Sequence, residues 1–368
     1  MKHTVFLSSP TMHGDEMKYI QEAFDTNWVA PLGHNVDAFE REICEKVGMK
    51  AACACCSGTA AMFLAYKLAG VGPGVKVFCS DVTFVATANP IVYLGGEPIF
   101  IDSEDETWNM SPEALEEAFR RHPDCKLVSM AYLYGTPAKM DELLAVCQRH
   151  GAVLIEDAAE ALGASYHGKL CGSFGKYNAL SFNGNKIITT SGGGMFLSDD
   201  EAAVKKAFFL STQAREPYPW YEHLEVGYNL RMSNVVAGIG RGQLHYLEEH
   251  RDRKEALYHR YAEGLRELPI SMNPYLSDTV PNFWLSCMLI DEGVGVKPMD
   301  VIERLDRAGI ESRPLWKPMH MQPVYADRDF VSTGVGESIF ARGLCLPSDI
   351  KMTAEQQQLV IDTVKSCF

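Results

Sequence analysis

Short apolar runs alternate with longer amphipathic stretches over the first two thirds of the chain. Val75-Lys-Val-Phe-Cys79, Gly96-Glu-Pro-Ile-Phe-Ile-Asp102, Lys126-Leu-Val-Ser-Met-Ala131 and Val153-Leu-Ile155 read as strands, being short, apolar and rich in β-formers. Between them the spacing predicts helices. One runs from Gly58 to Ala69, opening on Ser-Gly-Thr, with Met62, Leu64, Ala65 and Leu68 on its buried side. A second spans Thr83 to Leu94, and a third opens at Ser111-Pro-Glu-Ala-Leu with Ser as N-cap and Pro in the first turn. Lys139 to His150 supplies the helix of a βαβ unit between the strands at 126 and 153.

Such alternation implies a mostly parallel sheet with helices on both faces. Ligands of such folds collect at the carboxyl ends of the strands, where Asp157 is expected after Ala152-Val-Leu-Ile-Glu-Asp157. Further on, the polar stretch Glu248 to Lys254 continues a helix that leads towards a second domain. There Phe283 to Ile290 reads as a strand, and Lys297 to Ala308 as a helix ended by Gly309. No internal repeat and no low-complexity tract interrupts this order.

Composition narrows the class. The 368 residues suffice for one large and one smaller domain, and the formal net charge of -14 argues against nucleic-acid or anionic-membrane partners. An anionic ligand must therefore meet a local cluster of cations and helix N-termini. Lys2, His3, Thr4 and Ser8 interrupt the first apolar segment, so neither a signal peptide nor a membrane span is expected. The eleven cysteines are accordingly expected as reduced thiols in a cytoplasm. Cys53, Cys55 and Cys56 lack paired CxxC motifs and a nearby His, so they read as small buried residues at a strand end, and no metal site is expected.

The candidate chemistry centres on Lys186, in Ser181-Phe-Asn-Gly-Asn-Lys186-Ile-Ile-Thr-Thr-Ser-Gly-Gly-Gly194. A strand that delivers a carboxylate, followed by a lysine in a small polar loop, suits pyridoxal 5'-phosphate (PLP). The carboxylate keeps the pyridine nitrogen protonated, and the lysine carries the cofactor as a Schiff base. Four pieces in order sharpen this: Ser57-Gly-Thr-Ala-Ala61, Glu156-Asp-Ala-Ala-Glu-Ala-Leu-Gly163, the Lys186 block, and Gly227-Tyr-Asn-Leu-Arg-Met-Ser-Asn234. With them the chain resembles the DegT/DnrJ/EryC1/StrS sugar aminotransferases over nearly its whole length, from Asn27-Trp-Val-Ala-Pro-Leu-Gly33 to Leu344-Cys-Leu-Pro347.

The resemblance implies an α/β fold of PLP-dependent transferase fold type I (aspartate aminotransferase-like). A large, mostly parallel sheet domain would occupy residues 1–247 and a smaller C-terminal α+β domain residues 248–368. It assigns Lys186 as the catalytic residue, with Gly58, Thr59 and Ser181 on the cofactor phosphate, Phe84 on the pyridine face and Asp157 on the ring nitrogen. Asn229 matches the residue that reaches the phosphate from a neighbouring subunit, so a homodimer with shared active sites is implied. Glu160 departs from relatives that place Gln or His near the ring hydroxyl, and it would need a partner or a shared proton there. Gly192-Gly-Gly194 precedes a strand, and is expected to allow close backbone packing behind the lysine.

Glu311-Ser-Arg-Pro-Leu-Trp-Lys-Pro-Met-His-Met-Gln-Pro323 is similar to a stretch in members that aminate C4 of UDP-linked 4-keto-6-deoxy-N-acetyl sugars, the bacillosamine type, and Asn183-Gly-Asn185 looks like the same subgroup. Asn185, Arg231, Arg313, Lys317 and His320 are therefore the expected substrate-side residues, with Trp316 as a surface for a ring. The cations suit a diphosphate; Arg231 could equally be an interface ion-pair residue. The implied reaction moves the amine of L-glutamate through pyridoxamine 5'-phosphate to the C4 ketone of a nucleotide-linked keto sugar. The alternatives are a C3-keto, dTDP- or GDP-linked sugar, a cyclitol, or a PLP-binding regulator without turnover. Dehydratases of this fold replace the lysine with histidine, and a plain dinucleotide-binding protein would show GxGxxG after its first strand; neither pattern is present.

Overall fold

The alternating apolar runs pair into one eight-stranded sheet in a computed structural model that describes residues 3–368. Across the sheet the order is Ala51–Cys55, Gly194–Ser198, Tyr177–Ser181, Val153–Asp157, Leu127–Ala131, Lys76–Ser80, Glu97–Ile101 and Phe330–Val331. Gly194–Ser198 runs antiparallel to both its neighbours; every other pairing is parallel. Ala51–Cys55 therefore points the same way as Tyr177–Ser181. The residues that follow Cys55, Asp157 and Ser181 consequently meet at one edge of the sheet, the carboxyl edge where such folds bind ligands.

Helices cover both faces. Val36, Phe39 and Ile43 of His34–Val47, Leu115 and Phe119 of Pro112–Arg121, and Leu143 and Val146 of Met140–His150 fill one side. Ala61, Leu64 and Ala65 of Gly58–Leu68, with Val204 and Leu210 of Glu201–Ser211, fill the other. Met62 is buried with them, whereas Leu68 is half-buried. The expected caps form: Ser57 Oγ accepts from Ala60 N, and Ser111 Oγ accepts from Ala114 N. A four-stranded antiparallel sheet, Ile270–Met272, Ser286–Ile290, Gly343–Leu346 and Arg313–Pro314, packs with Pro298–Arg307 and Ala354–Lys365.

Three expectations need correction. Only Asn89–Tyr93 of the Thr83–Leu94 segment is α-helical. Pro90 has no N–H to close an earlier turn, and the Thr83 and Thr87 hydroxyls bond to each other instead (2.7 Å), so residues 83–88 stay in turns. The strand expected from Phe283 begins at Ser286, because Phe283 takes φ 52° and Trp284 N donates to Asn282 Oδ1 (2.9 Å). Cys53 and Cys55 are buried, but Cys56 is exposed because it lies past the end of its strand.

The chain also crosses the 247/248 position expected to divide the domains. Phe330–Val331 returns to extend the large sheet, and Val5 bridges Ile310 beside the smaller one. Helix Leu247–Leu265 begins at that position.

Candidate active site

A cavity of about 640 Å³ opens at the carboxyl edge of the large sheet and is closed from the other side by residues of the smaller one. The structure brings together Gly58, Thr59, Phe84, Asp157, Glu160, Ser181, Asn185, Lys186 and Arg313 in its lining. Each comes from a position that the fold fixes. Gly58 opens a helix directly after a strand; Asp157 and Ser181 are the last residues of two adjacent parallel strands. A Cβ at Gly58 would lie 2.9 Å from the Ser181 Cβ, so only glycine lets these two elements close into a cradle. The N–H groups that open this helix, apart from the Ala60 N–H capped by Ser57 Oγ, are grouped with the Thr59 and Ser181 hydroxyls, an arrangement suited to an anion. Behind it, a Cβ at Gly194 would lie 2.4 Å from the Ser57 carbonyl carbon, so close packing requires glycine there, whereas a Cβ at Gly192 would meet nothing closer than 4.0 Å.

Asp157 is 7% exposed. Its Oδ2 accepts from Thr87 Oγ1 (2.7 Å) and its Oδ1 from Ala159 N (3.1 Å). Burial pushes this carboxyl up from its ordinary value, while those two donors and the Lys186 charge pull it back. A buried carboxylate held by neutral donors suits a cationic partner such as a pyridinium nitrogen. Glu160 is also buried; its Oε2 accepts from Tyr134 N (2.7 Å), and burial raises its carboxyl to about 7 against the opposing pull of Lys186. Lys186 Nζ stands 3.6 Å from Glu160 Oε1 and 4.0 Å above the Trp284 ring. Tyr134, at φ 53°, sits next to Gly135, and its hydroxyl accepts from Trp316 N (2.9 Å). These contacts supply the partner that Glu160 was expected to need. The donor set, the cradle and the lysine together fit PLP.

Phe84 is 56% exposed and faces the cavity, 5.4 Å from Trp316 between ring centres. Arg313 is at the mouth, with Nη2 3.1 Å from Glu311 Oε1. The other expected substrate-side residues lie elsewhere. Arg231 is buried, with Nη1 paired to Glu40 (2.6 Å) and donating to the Ala54 carbonyl (3.0 Å), so its charge serves the fold of this chain rather than the cavity. His320 is held by Asp81 (2.7 Å) and Glu337 (3.2 Å) and stacks on Phe330 at 3.7 Å. Lys317 does not line the cavity either. Asn229 is exposed, bridging to Thr212 outside the cavity.

Sequence reasoning missed Thr83 and Thr87, which secure Asp157, and Tyr134 and Trp284, which bracket Glu160 and Lys186. Leu7 and Ser8, from the start of the chain, also line the cavity. Nothing in their local sequence marks them, and the positive φ of Tyr134 before Gly135 is visible only in the structure. Among the described residues no group of His, Cys, Asp and Glu could hold a metal ion, and no helix is long and apolar enough to cross a membrane.

Similar proteins carry the same architecture. The chain is 49% identical to EpsN of Bacillus subtilis (strain 168), which carries the name of a pyridoxal phosphate-dependent aminotransferase; the match covers 100% of this chain and 97% of EpsN. It is 36% identical to a GDP-perosamine synthase of Caulobacter vibrioides, over 97% of this chain and 96% of that one. The crystal structure of the aminotransferase TlmJ from Streptoalloteichus hindustanus superposes with a TM-score of 0.92 at 26% identity, covering 99% and 98% of the two chains. With the DegT/DnrJ/EryC1/StrS aminotransferase model matching residues 10–365, the chain belongs to that family.

Proposed function

We propose that this PLP-dependent aminotransferase moves the amine of L-glutamate to the C4 ketone of a UDP-linked 4-keto-6-deoxy-N-acetyl sugar. The observation that carries the reading is the convergence of Asp157, Glu160, Lys186 and the Gly58–Ser181 cradle on one cavity whose mouth holds Arg313. Bound PLP supplies the carbonyl that takes up the amine and an electron-poor ring that absorbs charge as the substrate Cα–H bond breaks.

The chain's own residues do the rest. Gly58, Thr59 and Ser181 bind the phosphate, and Phe84 packs on the ring face. Asp157, fixed by Thr87 and Ala159, keeps the ring nitrogen protonated. Glu160 holds a proton beside the ring hydroxyl; its raised carboxyl makes the neutral form available near pH 7. Lys186 Nζ carries the cofactor and then takes and returns the proton at the substrate carbon. Asn185 orients the substrate, Arg313 meets the diphosphate, and Trp316 lies against the sugar ring, while Lys317, outside the lining, adds only its more distant charge. With His320 committed to Asp81, its contribution is to fix the backbone of that segment.

Two features support a homodimer with shared sites. Phe24, Trp28, Val29, Leu32 and Phe208 are all between 46% and 61% exposed, and Tyr221, Leu224 and Val226 exceed 70%, in the segment that leads to Asn229. A second copy would cover these surfaces and bring Asn229 to its neighbour's phosphate. Among the described residues all the cysteines are free, which supports action in the cytoplasm. A division of labour between residues 1–247, which hold the cofactor, and 248–368, which close over it, remains part of this reading. The similarity to a GDP-perosamine synthase favours a GDP-linked sugar as the second reading.

The test is the visible spectrum of the holoenzyme, titrated with glutamate and then with the UDP-4-keto or the GDP-4-keto sugar. The cofactor band should fall with glutamate and return with the UDP sugar. Return with the GDP sugar alone replaces the first reading by the second, and no band after added PLP sinks both. Light scattering of the same sample should give twice the chain mass.

A further inference from the structure

Two buried titratable side chains lie behind the Lys186 loop and have no part in the roles above. His250 and Lys254 are four residues apart on helix Leu247–Leu265, hence on one face of it, and are 2% and 3% exposed. Burying an ammonium is costly unless its donors are met. Lys254 meets its own with backbone oxygens rather than a carboxylate: Nζ donates to Ser348 O (2.8 Å) and Trp284 O (3.0 Å), with Ser8 Oγ at 3.5 Å. The neighbouring Asp349 carboxylate is taken by Ser9.

His250 Nδ1 donates to Ile187 O at 2.6 Å. With that proton placed, Nε2 is the acceptor towards His13 Nε2 at 2.7 Å, and the His13 ring stacks on Tyr246 at 3.6 Å. Burial lowers the His250 pKa, which keeps the ring neutral as this arrangement requires. Ile187 directly follows Lys186. The carbonyl of Asn185, directly before it, accepts from Ser8 Oγ (3.0 Å) and Trp284 Nε1 (2.7 Å), and the Trp284 ring lies under Lys186 Nζ. The backbone on both sides of the lysine is thus gripped, and both grips lead back to one helix face.

We infer that His250 and Lys254 are positioning residues for Lys186: His250 fixes the peptide after the lysine, and Lys254 fixes the Trp284 backbone and Ser8 that together hold the peptide before it. The inference rests on Lys186 being the cofactor lysine. It explains why a long polar helix spends a histidine and a lysine inside the molecule: they couple the start of the chain, the smaller sheet and the lysine loop at one point.

Hydrogen exchange of the cofactor-free protein and the rate of the glutamate half-reaction test it together. His250→Leu should raise exchange over residues 187–191 about fivefold or more, with the central strand Leu127–Ala131 unchanged. It should slow the half-reaction about tenfold while the KM for glutamate stays within about twofold. His250→Asn, whose amide can donate where Nδ1 does, should restore both within about twofold. Lys254→Met should loosen residues 5–9 and 284–285 and slow the half-reaction in the same way; should it fail to fold, the His250 pair decides alone. Unchanged exchange in His250→Leu, or a His250→Asn variant as impaired as His250→Leu, overturns the positioning role. Turnover by Lys186→Ala would instead overturn the underlying assignment, so the two failures are distinguishable.

Discussion

Asp157 and Ser181 end two adjacent parallel strands, whereas Lys317 and His320 follow a two-residue strand, Arg313–Pro314, through a stretch of turns. On the sheet side of the cavity, strand register decides where a side chain points, and the residues named from chain order line the cavity together. On the other side only Arg313 and Trp316 of residues 313–320 line it, with His320 turned to Asp81 and Lys317 outside the lining. A residue at a strand end is placed by the whole ladder of hydrogen bonds behind it. A residue in a Pro-punctuated segment is placed by whichever local partner binds it best, and for His320 that partner is a buried aspartate. Identity of residue type therefore carries role more securely on the first wall than on the second.

The largest effect should come from the sheet side. On the proposed reading Lys186→Ala removes both the cofactor attachment and the proton carrier, and turnover should fall by about a thousandfold or more while the chain stays folded. Measurable transamination by that variant would break the comparison outright, because the best-placed residue of the first wall would then be dispensable.

On the other wall, Arg313→Ala should raise the KM for the nucleotide sugar about tenfold, the scale of one charged hydrogen bond, with kcat little changed. Lys317→Ala should raise it less than about threefold, as expected of a cation outside the cavity lining. Steady-state kinetics with the sugar as varied substrate sharpen the contrast; a larger effect at Lys317 would mean that the segment rearranges when substrate binds.

The smallest effect concerns pH. Burial lifts Glu160 to about 7, above the ordinary value of 4.5, so between those limits the folded chain binds a proton that the unfolded chain has lost. Its contribution to stability is full below the unfolded value and declines as pH rises towards 7. Glu156, raised by burial to about 7 despite donors from Gly172, Phe174 and Gly175, acts in the same direction. Thermal unfolding of the cofactor-free protein should show stability declining from about pH 5 to about pH 7, and Glu160→Gln should remove about half of that slope. An unchanged slope would mean that Lys186 keeps Glu160 ionised over the whole window.

How much was legible follows from what each element needs. The helix at Gly58 was readable from Ser57 and the apolar spacing, and the Val153–Asp157 strand from a buried run that ends in acids. Thr83–Ala88 was misread because its apolar spacing is helical, while two threonine hydroxyls and Pro90 turn the chain another way. Arg231 sits inside one of the best sequence matches, yet its charge is spent on Glu40, nearly two hundred residues earlier. No local pattern marks an ion pair whose partners meet only after folding.

By itself, the sequence determined the α/β alternation, the carboxyl edge of the sheet as the place of the cavity, and the family resemblance that singles out Lys186, Asp157 and Gly58. The alternation and the edge follow from periodicity, capping and strand ends, all of which act over a few residues. Tertiary structure alone decided that Thr87 holds Asp157, that Tyr134 holds Glu160, and that Leu7, Ser8, Trp284 and His250 enclose the Lys186 loop. These contacts join segments far apart in the chain, and their energy comes from burying polar groups that must then find partners wherever the fold presents them.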